Sequence, residues 1–464
     1  MRVTVVGAGY VGLVSAASFG KLGFDVCLTG IDTKKIREAK AGVFHTYEPE
    51  VRRALKEGIE AKHISISENL ADTMVGSDAI VVAVSSAKTE GVDSDLSFLL
   101  GAMKTIATAL TRDKYRGIFV KTNVPAGTCR GIAENFKSMR PDLTPGTHYD
   151  IIANPGFLRE GTGIKDFVTP ERIIIGLGEQ SSKAQELISK LYMADISDAR
   201  FIITNFETAE LIRSVITNFT AIEMAFINEI SELCDKLGAD INAVIKAVSL
   251  KQSSGSNSLQ ITPAIGGTSI PRNMRILVGV AKSLGVNLQV LEGALRSNTE
   301  RISKIKTRII NLIKDEKEIA SQKVSIFGLT FKPMVNDVRE SASILVIKEL
   351  LASGVSVFAY DPALKPDSKE LYRIPSSILE NKNFHLVNSA YDAAIESDII
   401  VIMTNWAEFL ALDYSKIYEL MNKSSSKKPV ILDYRNMLLN LDLSSFVYIS
   451  QGAIVTRNKK NLGR

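Results

Sequence analysis

Apolar residues along this chain fall into two textures. The first is a short run of β-branched and aliphatic residues, followed by a segment with helical spacing. Arg2-Val3-Thr4-Val5-Val6 opens the chain this way. Residues 25–31, Asp78-Ala79-Ile80-Val81-Val82-Ala83-Val84, Gly117-Ile118-Phe119-Val120-Lys121, Asp150-Ile151-Ile152-Ala153, Arg172-Ile173-Ile174-Ile175-Gly176 and Phe201-Ile202-Ile203-Thr204 repeat it. Runs of this kind predict strands buried on both faces. Their alternation with helices predicts a parallel, doubly wound sheet with ligands at the C-terminal strand ends. The second texture occupies the middle of the chain. Residues 207–237 carry apolar positions at helical spacing with no proline or glycine before Gly238, which predicts a helix of about eight turns. Residues 241–249, 274–284 and 287–314 read as further helices. The strand texture returns in Lys323-Val324-Ser325-Ile326-Phe327, Ser356-Val357-Phe358-Ala359-Tyr360, Asp398-Ile399-Ile400-Val401-Ile402-Met403-Thr404 and Val430-Ile431-Leu432-Asp433. The expected fold is α/β, with two Rossmann-like doubly wound domains, 1–205 and 316–464, joined by a central helical domain, 206–315.

Two glycine stretches carry candidate chemistry. Gly7-Ala8-Gly9-Tyr10-Val11-Gly12 stands between the first strand and a helix. In that context the spacing signals a dinucleotide: the glycines admit the pyrophosphate, and the helix N-terminus offers free N–H groups. A carboxylate for the ribose is expected about 20 residues on, where Asp32 stands. The second stretch is Gly266-Gly267-Thr268-Ser269-Ile270-Pro271-Arg272-Asn273. Its glycines predict a tight loop approaching a ligand, with Ser269 at its base. The loops after Lys121 and Ala153 are expected to face the cofactor crevice.

Composition narrows the class. The 464 residues exceed one ordinary core. The balance of 56 basic and 51 acidic residues is too even to signal nucleic acid. Cys27, Cys129 and Cys234 are an odd, sparse set, which fits a reducing cytoplasm better than a disulfide framework. The four histidines share no metal-ligand spacing, so no metal site is expected. No membrane segment is expected, because no apolar run reaches about 18 residues, and a strand beginning at Arg2 leaves no room for a signal peptide. Residues 457–464 read as a basic, frayed tail.

Several motifs together resemble the UDP-glucose/GDP-mannose dehydrogenase family over nearly the whole chain. They are the 7–13 loop, Tyr47-Glu48-Pro49, Asn154-Pro155 with Phe157-Leu158 and Glu160-Gly161-Thr162, and Ala209-Glu210-Leu211 with Phe219. Gly328-Leu329 with Phe331-Lys332-Pro333, Asp337-Val338-Arg339-Glu340-Ser341 and Asp361-Pro362 complete the set. The resemblance implies an NAD domain, a dimerising helical centre and a UDP-sugar domain. It implies oxidation of a sugar C6 alcohol to a carboxylate in two hydride transfers to NAD, by a homodimer acting on a nucleotide-sugar. It places the cofactor on Gly7, Gly9, Tyr10, Val11, Gly12, Glu160 and Arg339, together with the Asp32 that the spacing marks. It places the substrate on Phe157, Leu158, Arg213, Asn218, Gly266, Gly267, Phe331 and Lys332.

The same resemblance shows where this chain departs. The family's catalytic cysteine falls on Ser269, its aspartate on Asn273 and the lysine before that on Arg272. Its helix lysine falls on Arg213, its asparagine on Thr217, its glutamate on Gly156 and its threonine on Asn123. Its ribose aspartate falls on Gly30, two residues before Asp32, and its substrate arginine has no counterpart in 251–258. Serine is a nucleophile only beside a base, asparagine takes no proton at neutral pH, and arginine does not release one. Catalytic candidates are therefore Ser269, Arg213, Thr217, Asn273 and Asn123, in a site expected to have lost or replaced thioester chemistry. Two outcomes are expected: an NAD-dependent nucleotide-sugar oxidoreductase with altered chemistry, or a non-catalytic nucleotide-binding relative that partners an active one.

Overall fold

A computed structural model describes residues 1–84, 95–179, 181–193, 198, 200–251, 259–267, 269–313, 322–367, 371, 373–423 and 428–453. The 252–258 loop, Thr268 and the 457–464 tail lie outside the described residues. Packing divides the chain into two compact units, Met1–Ile216 and Thr217–Arg464.

The N-terminal unit holds an eight-stranded sheet. Its strands are β1 (Arg2–Val6), β2 (Asp25–Thr29), β3 (Ile64–Ile66), β4 (Ala79–Val82), β5 (Arg116–Val120), β6 (Tyr149–Ala153), β7 (Ile173–Leu177) and β8 (Phe201–Thr204). The spatial order is β3-β2-β1-β4-β5-β6-β7-β8. Successive side chains alternate between faces, as a pleated strand requires. Ala79 and Val81 join one apolar cluster with Val3, Val5 and Phe119, while Ile80 and Val82 join another with Val6 and Ile118. The sheet is not wholly parallel as expected: β7 runs antiparallel to β6, pairing Ile152 with Leu177. Parallel neighbours need a long crossover over one face of the sheet. The link between these two holds a six-residue helix, Gly163–Val168, packed on the Tyr10–Lys21 helix.

The C-terminal unit holds a six-stranded sheet of order β11-β10-β9-β12-β13-β14, parallel throughout. Its strands are β9 (Lys323–Phe327), β10 (Ser356–Tyr360), β11 (Phe384–Leu386), β12 (Ile399–Ile402), β13 (Val430–Asp433) and β14 (Val447–Ser450). The helices Ile241–Lys251, Ser269–Ser283 and Gln289–Ile313 precede it. The Phe206–Leu237 helix matches the expected span within one residue. Along it, Leu211, Val215, Phe219, Phe226, Leu233 and Leu237 are exposed, Phe219 and Phe226 at 59% each. The Ser269–Ser283 helix starts five residues before the expected 274. Pro271 sits in its first turn, where a missing N–H costs no hydrogen bond.

Candidate active site

In the N-terminal unit, the glycine loop joins β1 to the Tyr10–Lys21 helix, and Gly9 is the N-cap with no side chain covering the helix end. Gly7 has φ +125°, and a Cβ there would lie 2.5 Å from the Ala83 carbonyl oxygen. A Cβ on Gly12 would lie 1.7 Å from the Gly7 carbonyl oxygen. Only glycines allow this turn, which leaves the N–H groups of the first helical turn open to an anion.

Tyr10 is held from behind by a residue whose role the sequence did not disclose. Glu48 is 6% exposed, and its carboxylate accepts from the Tyr10 hydroxyl at 2.6 Å, the Gly161 N–H at 2.5 Å and the Gly163 N–H at 3.1 Å. Burial, and then the Glu48 carboxylate, push the Tyr10 phenol far above its ordinary pKa, so it stays a donor. One carboxylate thus ties the glycine loop to the loop carrying Glu160. Its signal was an acidic residue just before a proline-started helix, Pro49–Glu60. Asp32 stands after β2 as the N-cap of Thr33–Lys40, accepting from the Lys35 N–H and pairing with the Lys35 ammonium at 3.3 Å. Burial works against its charge, but the Lys35 contacts hold the carboxyl below its usual range. Gly30 is buried, and an added Cβ would meet the Gly7 backbone nitrogen at 3.4 Å.

At the ends of β5 and β6, Lys121 is buried, with its ammonium 3.1 Å from the Asn154 side-chain oxygen and 3.3 Å from the Tyr192 hydroxyl. Asn123 is exposed two residues on. It shares a void of about 10 Å³, room for one water, with Thr122, Glu210 and Arg213. The Arg213 Nε donates to the Gly156 carbonyl at 2.8 Å, and its guanidinium lies 5.3 Å from the Phe157 ring. Desolvation pulls Arg213 down to about 10, so it is a cation at neutral pH. Phe157 and Leu158 are half-buried and pack against the core clusters on either side of the sheet. Glu210, quoted above only as part of a motif, caps the Thr128–Met139 helix, accepting from the Gly127 and Cys129 N–H groups at 2.6 and 2.8 Å.

In the C-terminal unit, Ser269 lies in the first turn of its helix, not at the base of a loop. Its hydroxyl accepts from the Asn273 side-chain amide at 3.4 Å. The Asn273 carbonyl in turn lies 3.5 Å from the Asn218 amide nitrogen. Thr217 and Asn218 are both buried. Arg272 is half-buried, and burial, then its neighbour Arg275, lower its pKa. The two glycines make close approaches, and these are to protein. A Cβ on Gly266 would meet the Glu340 carbonyl at 2.9 Å, and one on Gly267 (φ +80°) would meet the Phe331 ring at 2.8 Å. The loop is thus seated on Phe331, whose ring also lies 5.7 Å from the Lys332 ammonium. Arg339 forks onto buried Asp337 through bonds of 2.7 and 2.5 Å. Buried Asp361 organises the turn after β9, accepting from the N–H groups of Leu329 and Thr330 at 2.7 and 2.9 Å and from the Trp406 indole at 3.2 Å. Among the described residues, no group of three or more His, Cys, Asp and Glu side chains could hold a metal ion, and no helix is long and apolar enough to cross a membrane.

A glycine cradle at β1 of a doubly wound sheet, followed along the chain by a helical segment and a second, parallel sheet, defines a dinucleotide-binding fold. Three family models match in sequence order: the UDP-glucose/GDP-mannose dehydrogenase NAD binding domain over residues 1–195, the central domain over 207–300 and the UDP binding domain over 325–440. The chain is 33% identical to UDP-glucose 6-dehydrogenase of Rickettsia conorii over 440 residues, 95% of this chain and 96% of that one. It is 31% identical to UDP-glucose 6-dehydrogenase TuaD of Bacillus subtilis over 459 residues, covering 98% and 94%. Among solved structures, a UDP-glucose dehydrogenase from Pyrobaculum islandicum superposes with a TM-score of 0.82 at 26% identity, covering 97% of each chain. The chain belongs to the UDP-glucose/GDP-mannose dehydrogenase family, and its cofactor is NAD.

Proposed function

We propose that this protein oxidises a UDP-sugar with NAD and stops after one hydride transfer, giving an aldehyde, NADH and a proton released to solvent. The observation that carries this reading is the Ser269–Asn273 contact. A four-electron oxidation needs a nucleophile to capture the aldehyde, and a thiol of pKa about 8.5 does so readily. A serine hydroxyl needs a base, and here it faces an amide that donates to it. NAD supplies the hydride acceptor. Arg213, cationic at neutral pH, holds the oxygen that becomes negative, with Asn123 and Thr217 as polar neighbours of the reaction. Gly7, Gly9, Tyr10, Val11 and Gly12 bind the pyrophosphate, and Asp32, Glu160 and Arg339 complete the cofactor contacts. Phe157, Leu158, Asn218, Gly266, Gly267, Phe331 and Lys332 contact the nucleotide-sugar. Segment 1–205 is the NAD domain, 316–464 binds UDP, and 206–315 carries a homodimer interface along the exposed Phe219 and Phe226 face. Three buried free thiols suit a cytoplasmic protein.

The test is stoichiometry. Purified protein with UDP-sugars is expected to give at most one NADH per sugar, and Ser269→Cys alone is expected not to add a second, because Gly156 and Asn273 also lack a carboxylate. Two NADH per sugar with a carboxylate product would overturn the reading. NAD binding without any turnover would favour the second reading, a nucleotide-binding partner of an active relative, for which the same Ser269–Asn273 contact speaks.

A further inference from the structure

A cleft of about 760 Å³ lies in the C-terminal unit, lined by none of the candidate site residues described above. One wall is the Gln289–Ile313 helix, the other is the end of the Phe206–Leu237 helix, and Tyr434 and Gln451 also line it. Its charge is unbalanced: Lys236, Arg301, Lys304 and Arg308 line it against Glu232 and Asp235. Both carboxylates are engaged. Glu232 takes Arg301 at 2.9 Å and Lys304 at 2.8 Å. Asp235 takes Arg308 at 3.3 Å, the Gln451 amide at 3.2 Å and the Gly452 N–H at 2.7 Å. An entering cation finds these acceptors in use, whereas an entering anion meets two surplus positive charges.

The second observation is Tyr434. It is 2% exposed, and its buried hydroxyl makes no hydrogen bond. The Arg308 guanidinium lies beside it without making a well-formed hydrogen bond to it, and buried groups left this way are rare. Burial pushes its pKa up to about 12, so it is a proton donor at neutral pH. A third observation connects the cleft to the glycine loop. The Arg301 guanidinium that holds Glu232 also donates to the carbonyls of Pro263 and Thr262. Asn298, three residues earlier on the same helix, brackets Ile265 by its N–H at 2.7 Å and its carbonyl at 3.1 Å. Gly266 follows directly.

We propose that this cleft is a second ligand site, for a small phosphorylated anion carrying at least two negative charges, and that its occupancy is relayed through Arg301 to the Gly266–Gly267 loop. The anion lies among Lys304, Arg308 and Lys236 and accepts from the Tyr434 hydroxyl. Drawing Lys304 from Glu232 leaves that carboxylate to Arg301 alone, which changes how firmly residues 262–267 are held.

Inorganic pyrophosphate is the probe, titrated calorimetrically into the full-length protein with NAD and UDP both saturating, so that the proposed nucleotide sites are filled. One equivalent is expected to bind, more weakly as salt rises. Lys304→Gln is expected to weaken it ten-fold or more. Tyr434→Phe, which keeps the shape of the ring and removes an unpartnered hydroxyl, is expected to fold normally and weaken it about three-fold or more. Hydrogen exchange across residues 262–267 is expected to change on adding pyrophosphate to the wild type and not to Lys304→Gln. No binding, equal affinity in the wild type and both variants, or binding that leaves exchange at 262–267 unchanged would each overturn the proposal.

Discussion

Glu48→Gln is a sharp probe of how the cofactor loops are held. The carboxylate serves three donors, with Tyr10 and Gly161 on Oε1 and Gly163 on Oε2. Hydrogen bonds to a charged acceptor contribute about 1.5–3 kcal/mol each, and a buried donor left unmade costs about 1–3 kcal/mol. Glutamine keeps the shape but has one acceptor oxygen. Placed at Oε1, that oxygen still serves Tyr10 and Gly161, without the charge. The amide nitrogen then confronts the Gly163 N–H, donor against donor. The loss is about 2–4 kcal/mol. For a unit the size of Met1–Ile216, each kcal/mol moves Tm by about 2–4 °C, so the expected fall is on the order of 10 °C. The same change releases the loops of Tyr10 and Glu160 from each other, and NAD affinity is expected to drop about ten-fold, equivalent to about 1.4 kcal/mol. Tyr10→Phe removes one donor only and is expected to cost about 1 kcal/mol. Thermal unfolding by circular dichroism and NAD calorimetry read both quantities. A Glu48→Gln protein with wild-type Tm and wild-type NAD affinity would refute the clamp.

Three further outcomes are expected. Gly9→Val should abolish NAD binding by filling the space beside the helix N-terminus; calorimetry on a folded variant that still binds NAD normally would sink this. The wild type should sediment as a dimer, and Phe219→Asp with Phe226→Asp should give the 50.6 kDa monomer; a wild-type monomer well above micromolar concentration counts against the interface. Arg213 at about 10 should leave kcat flat from pH 6 to 9. The same burial would lower a lysine from its ordinary value of about 10.4, so Arg213→Lys should lose its charge, and with it the support for the oxyanion, at lower pH than the wild type does. A variant profile without that basic limb would mean Arg213 does not act on the reacting oxygen.

The strands that were legible are those with continuous apolar runs, because burial on both faces leaves no polar position to obscure them. The three-residue strands Ile64–Ile66 and Phe384–Leu386 were not, since each buries only its first residue and a single buried position carries no period. The direction of β7 was hidden for a different reason: strand direction depends on where the connection packs, and the short Gly163–Val168 helix returns to the first helix. Ser269 was expected at the base of a loop, yet the helix begins at Ser269 itself, with Pro271 in its first turn. Asp32 was found by spacing, but spacing could not show that its carboxylate already caps Thr33–Lys40. The cleft at Tyr434 was invisible, because its residues come from stretches some 200 positions apart, from Glu232 to Gln451.

These differences follow a physical division. Glu48, Glu210 and Asp361 are buried carboxylates that accept backbone N–H groups, so replacing any of them strands donors that water cannot reach. Motifs built on such residues are tied to the fold itself, and they are the motifs that carry the family resemblance here. Ser269 and Asn123 are exposed, and Gly156 contributes a carbonyl that any residue could offer. Among the described residues, no backbone hydrogen bond is made to the side chain of Ser269 or Asn123. A frame of this kind can keep its NAD cradle and both sheets while the chemistry at its surface changes, and membership of the family therefore says more about what this chain binds than about how many electrons it moves.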